Sequence, residues 1–134
     1  MKWLCCNTIT KEIIEKVETD LSIIFPEDFI RIIEKCDRGY PIPNKIEIDG
    51  QEEILNNLVS FLEDEESYIL RIMRETEFFP SSKLIPVAED PFGNYYCYLL
   101  KDKAFKIVFW NHEDITKLKF VCNSFEELLS MLHE

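Results

Sequence analysis

A sheet is hard to avoid for residues 84–113, LIPVAEDPFGNYYCYLLKDKAFKIVFWNHE. The stretch opens with an apolar run and turns through Asp90, Pro91, Phe92, Gly93 and Asn94. It then continues as two strand-like runs separated by Lys101, Asp102, Lys103 and Ala104. Branched and aromatic side chains of this density suit a pleated, half-buried surface. Gly and Asn within the first turn supply the backbone freedom and local hydrogen bonding that reversal requires. The stretch predicts the centre of a small, mainly antiparallel sheet, with mostly helix before it and one further strand and a closing helix after it.

The flanks follow helical periodicity. Ile13, Ile14, Val17, Leu21 and Ile24 recur at helix spacing, with Thr8 or Thr10 placed to cap the start. Pro26, Glu27 and Asp28 restart a helix, proline at its first position and two acids against the positive end of the dipole. Phe29, Ile30, Ile33 and Cys36 form its stripe, and Gly39, Pro41 and Pro43 end it. Lys45, Ile46, Glu47 and Ile48 alternate into Asp49-Gly50 and read as a strand.

Residues 54–62 fit either period, with a slight local preference for helix. Glu63, Asp64, Glu65 and Glu66 then suit a helix N-terminus that continues through Tyr68, Ile69, Ile72 and Met73 to about Thr76, with a loop at 78–82. Residues 115–121 predict a weak strand. Ser124 followed by Glu127 matches a capping box, and Phe125, Leu128, Leu129 and Leu132 give the final helix its face. With 134 residues and no linker or repeat, the expectation is one α+β domain spanning residues 1–134, a central sheet with helices packed on it.

Charge narrows the partners. The net charge is -11, and residues 45–77 alone carry -7 while residues 83–121 carry +1. An acidic surface repels phosphates and anionic lipid, so nucleic-acid and membrane-surface binding are not expected, and a basic partner is. No run of ~18 apolar residues is present to span a bilayer. Five cysteines without CxxC or Cys/His spacing predict reduced thiols in a cytoplasm rather than a disulfide framework.

Chemistry is sparse. Only His112 and His133 could serve a nucleophile as base. His133 reads as a solvated terminal side chain. His112 reads as a turn residue, the competing role being a general base oriented by Glu113 or Asp114, or a hydrolase site with Asp90. Gly39, Gly50 and Gly93 are too scattered to cradle a phosphate. Glu89, Asp90 and Asn94 offer too few oxygens for calcium and are explained by turn chemistry. No catalytic residue, metal or cofactor is therefore assigned. The candidate partner-binding residues are Glu63, Asp64, Glu65, Glu66 and Tyr68, with Trp110, His112 and Glu113; Phe61, Phe78 and Phe79 are neighbouring aromatics.

Taken in order, Phe25-Pro26-Glu27-Asp28, the acid-rich middle, Leu84 to Asp90 followed by Gly93-Asn94, the Val108-Phe109-Trp110 strand ending in Asn111-His112-Glu113, and Ser124-Phe125-Glu126-Glu127 form a series over roughly residues 10–133. In this the chain resembles the SUKH superfamily, which includes a yeast cell-wall-assembly regulator and many bacterial immunity proteins of polymorphic toxin systems. The resemblance implies an α+β domain in which part of residues 54–62 is strand, against the local preference. It also implies a non-catalytic protein that binds and neutralises a cognate toxin, often a basic nuclease. The alternative it implies is a signalling or scaffold adaptor of the cell-wall-regulator type. A monomer or weak dimer is expected.

Overall fold

The computed structural model describes residues 1–76 and 83–134; the loop expected at 78–82, with Phe78 and Phe79, lies outside the described residues. Three strands from the central stretch, β6 (Leu84–Glu89), β7 (Tyr95–Lys101) and β8 (Ala104–Trp110), run as an antiparallel meander. With β5 (Asn57–Leu58) and β9 (Leu118–Cys122) they make a five-stranded sheet in the order β5-β6-β7-β8-β9. Asp102 and Lys103, both at positive φ, form the two-residue turn between β7 and β8, which matches the twist of the paired strands.

Alternation divides this sheet into two faces. Tyr96, Tyr98, Ile107 and Phe109 point into the main core, where α1 (Lys11–Leu21), α2 (Glu27–Cys36), α3 (Ile69–Glu75) and α4 (Phe125–Ser130) also bury side chains. Phe29 is the hub, 5.0 Å from Phe125, 5.2 Å from Phe25 and edge-on to Tyr98 at 5.8 Å. Such ring pairs add about 0.5–1.5 kcal/mol each beyond burial. Leu84, Cys97, Val108 and Trp110 form a smaller buried cluster on the opposite face. Burial pushes the Cys97 thiol well up and the Tyr95 hydroxyl up to about 12, so neither ionises near neutrality.

The helix caps follow the residues that predict them. Thr10 Oγ1 accepts the Ile13 N–H at 3.3 Å, and Ser124 Oγ accepts the Glu127 N–H at 3.1 Å. Asp28, in α2, reaches across to accept the Glu126 N–H at 2.9 Å, tying α2 to the start of α4. Pro26 is the N-cap of α2 rather than its first helical residue.

Three sequence expectations are corrected, and at residues 54–62 the two readings are decided. The chain before residue 84 is not mostly helix: it holds β5 and two further hairpin-like pairs, β1 (Lys2–Leu4) with β2 (Tyr40–Ile42), and β3 (Lys45–Ile48) with β4 (Gln51–Ile54). Residues 54–62 contain the end of β4 and all of β5, with no helix, as the resemblance implied against the slight local preference. Pairing with β6 on one side, and the Leu58 N–H to Gly39 O bond on the other, outweigh marginal helical periodicity. Glu63, Asp64, Glu65 and Glu66 form no helical turn; α3 begins only at Ile69. Finally, Cys6 and Cys36 are joined as a disulfide, while Cys5, Cys97 and Cys122 are free. These two cysteines lie 30 residues apart and meet because the segment around Asn7 pairs with the end of α2, a tertiary contact that spacing does not encode. No described helix is long and apolar enough to cross a membrane.

Candidate functional site

The acidic loop owes its shape to a buried carboxylate. Asp37, just past α2 and fully buried, accepts from Ser60 Oγ at 2.6 Å and from the Phe61 N–H at 2.7 Å. Asn7 Nδ2 lies 3.4 Å from it and donates at 3.1 Å to Glu65 Oε2. Burial pushes the Asp37 carboxyl above its ordinary value, opposed by the bonds from Ser60, Phe61 and Asn7. Arg38, held at positive φ, places its guanidinium 2.8 Å from Glu65 Oε2 and holds that carboxyl below its ordinary value.

The far end of the loop is fixed by a second group. Ser67 Oγ and Asn57 Nδ2 each donate to Glu89 Oε2 at 3.0 Å. Arg71 donates to the Glu63 and Glu65 carbonyls, both at 2.7 Å, and takes up the backbone acceptors that a helical turn would have used. Residues 60–68 are thereby clamped as a loop, and Glu63, Asp64 and Glu66 are left exposed on it. Arg38, Tyr40, Glu65, Glu66 and Ser67 line a polar cleft of about 190 Å³ beside them.

The predicted residues therefore divide. Glu63, Asp64 and Glu66 are available to a partner. Glu65 is half-buried and spent on Arg38 and Asn7. Tyr68 is 5% exposed and Trp110 4%; the first belongs to the main core and the second to the outer cluster. His112 and Glu113 are exposed, but at the end of β8, three strand spacings or roughly 15 Å across the sheet from β5, the strand that leads into the acidic loop. Two surfaces are present where the sequence suggested one list.

His112 has a defined orientation. Asn94 Oδ1 accepts the His112 backbone N–H at 3.0 Å and lies 2.7 Å from its Nδ1. An amide oxygen only accepts, so Nδ1 carries the proton and Nε2 faces outward, 3.9 Å from Glu113. Asp90 reaches His112 only through Asn94. It accepts the N–H groups of Phe92 and Asn94 at 2.8 Å and the Asn94 amide at 2.7 Å. This is turn chemistry joining two loops. Among the described residues no group of three His, Cys, Asp or Glu is placed to hold a metal.

Sequence reasoning missed Glu47, Asp49 and Glu52, which the β3–β4 hairpin exposes as a second acidic surface. The alternation Lys45-Ile46-Glu47-Ile48 already signalled it, since a buried Ile46 and Ile48 turn Glu47 outward. It also missed the clamp, whose members come from residues 7, 37, 38, 60 and 65.

A family model described as SMI1-KNR4 cell-wall matches residues 11–129, nearly the whole chain. No curated protein matches it.

Proposed function

Because the chain belongs to the SMI1-KNR4 cell-wall family of the SUKH superfamily, we propose that it works by binding another protein, as an immunity protein that neutralises a cognate toxin without catalysis. The observation that carries this reading is the clamped loop, which holds Glu63, Asp64 and Glu66 outward while Glu65 is paid into the fold. A rigid acidic surface loses little entropy on binding and steers a basic partner toward it. A nuclease effector must present such a basic surface to phosphates, so an acidic occupant blocks its substrate. The residues assigned to contact are Glu63, Asp64 and Glu66, with Glu47, Asp49 and Glu52 in support.

The test is the triple variant Glu63→Lys, Asp64→Lys, Glu66→Lys, with Glu65 retained so that the Arg38 contact survives. The partner assayed is the product of the neighbouring reading frame, co-expressed and co-purified with the chain. Association is expected to slow by about 100-fold at low salt, with protection of toxin-expressing cells lost and no fall in melting temperature. Unchanged, salt-insensitive association would sink the acidic site.

The family description also favours a second reading, an adaptor of the cell-wall-regulator type that binds an endogenous protein through the same surface. Absence of any toxin-like neighbour, with capture of an endogenous partner that the triple variant no longer binds, would select it.

A further inference from the structure

The two edges of the five-stranded sheet are treated differently. At β5 the outer edge is covered by the chain itself, through the Leu58 N–H to Gly39 O bond at 2.9 Å and the Arg38 N–H to Val59 O bond at 3.2 Å. At the other edge β9 pairs with β8 and, among the described residues, with no strand beyond it. Lysines are a common guard against unwanted pairing, and Lys117 and Lys119 fit that role. They do not account for Phe120 at 56% exposure and Leu118 at 38%, two large apolar side chains that alternation puts on one face of the open strand.

Residues 101–119 carry five lysines against three acids, a small excess opposite in sign to the net charge of the chain. Lys101, Lys103, Lys106 and Lys117 are exposed on β7, β8 and the approach to β9. Lys106 and Lys119 make no ion pair among the described residues, and Lys117 has only a 3.9 Å contact with Asp114, both side chains being at least half exposed.

From these observations we propose that the free edge of β9 is a docking site for an extended, acidic segment of a partner protein, which adds as a sixth strand. Unpaired backbone groups of β9 would supply the ladder, Leu118 and Phe120 the pockets for alternate apolar side chains, and Lys117 and Lys119, which alternation puts on the other face, the match to acids between them. A second copy of this chain is the poorer occupant, since pairing β9 with itself sets the same lysines against one another. The surface is separate from the acidic loop, and the two readings stand or fall independently.

The probe is a fluorescein-labelled peptide of about eight residues alternating Glu and Val, titrated with the full chain at about 150 mM salt, where charges more than ~8 Å apart are largely screened, and followed by anisotropy beside its Ser–Val counterpart. The acidic peptide is expected to bind at least about tenfold more tightly than the neutral one, and to raise amide-exchange protection in β9. Phe120→Glu should weaken it about tenfold with the melting curve unchanged, because that side chain is exposed. Lys117→Glu with Lys119→Glu should weaken it as well, and the triple acidic-loop variant should bind it unchanged. Equal binding of the two peptides, indifference to Phe120→Glu, or a Phe120-dependent dimer of the chain alone would each overturn the proposal.

Discussion

Adjacent acids in this chain serve different ends. Glu65 and Glu66 are neighbours, yet Glu65 is bound by Arg38 and Asn7 while Glu66 remains exposed. Reversing all four acids of residues 63–66 together would confuse a lost contact with a lost fold, which is why Glu65 is spared above. Glu89 shows the opposite balance. Burial holds its carboxyl above the ordinary value of 4.5, against the Asn57 and Ser67 bonds that favour ionisation. The folded chain therefore keeps this proton more firmly than the unfolded chain. Its contribution to stability falls as pH rises from the ordinary value through the raised one, and returns on acidification. Both bonds fall on Oε2, so the single carbonyl oxygen of Gln can accept them. Glu89→Gln is expected to stabilise the protein by up to about 1 kcal/mol at pH 7, the gap over wild type closing by about pH 4. Urea unfolding across that range checks it; a gap that widens on acidification would contradict the assignment.

At the scale of elements, short helices depend on their caps more than on their length. α4 has six residues, and its first N–H groups are satisfied by Asp28 and by Ser124. Ser124→Ala should cost about 1 kcal/mol, or about 3–5 °C of melting temperature, while Ser124→Asp should hold it. Equal melting of all three proteins would mean that tertiary packing alone fixes α4. Legibility followed the same logic of local signals. The meander of β6, β7 and β8 was readable because alternation, aromatic density and the turn at Asp102-Lys103 all lie within one stretch. α1, α2 and α4 were readable from their periodicity and caps. β1, β2 and β5 were not, because each has two or three residues and exists only through a partner far away in sequence. The clamp was hidden for the same reason: Asp37 looks like a helix stop until Ser60 and the Phe61 N–H are seen to converge on it. Of the candidate residues, the exposed acids could be read from charge, but burial of Tyr68 and Trp110 could not, since a sequence does not tell which side of a sheet is covered.

Over the whole molecule the excess of acid is a cost that function must justify. The chain carries 26 acidic against 15 basic residues, and among the described residues only Arg38–Glu65 is a close ion pair that is partly shielded from solvent. Repulsion among exposed acids on the loop and on the β3–β4 hairpin should therefore outweigh attraction, and added salt, by shortening the range of both, should stabilise the fold. The melting temperature is expected to rise between about 10 mM and 300 mM sodium chloride, where the screening length drops several-fold. The triple Lys variant of the acidic loop moves the net charge from -11 to -5, two units for each residue reversed, so its salt dependence should be shallower and its melting temperature at low salt higher. That sign separates a binding surface from a structural one: acids kept for the fold would make their reversal destabilising, whereas acids kept for a partner leave the isolated chain better off without them. A triple variant that melts lower than wild type at low salt would place the acidic loop among the residues that hold the structure together.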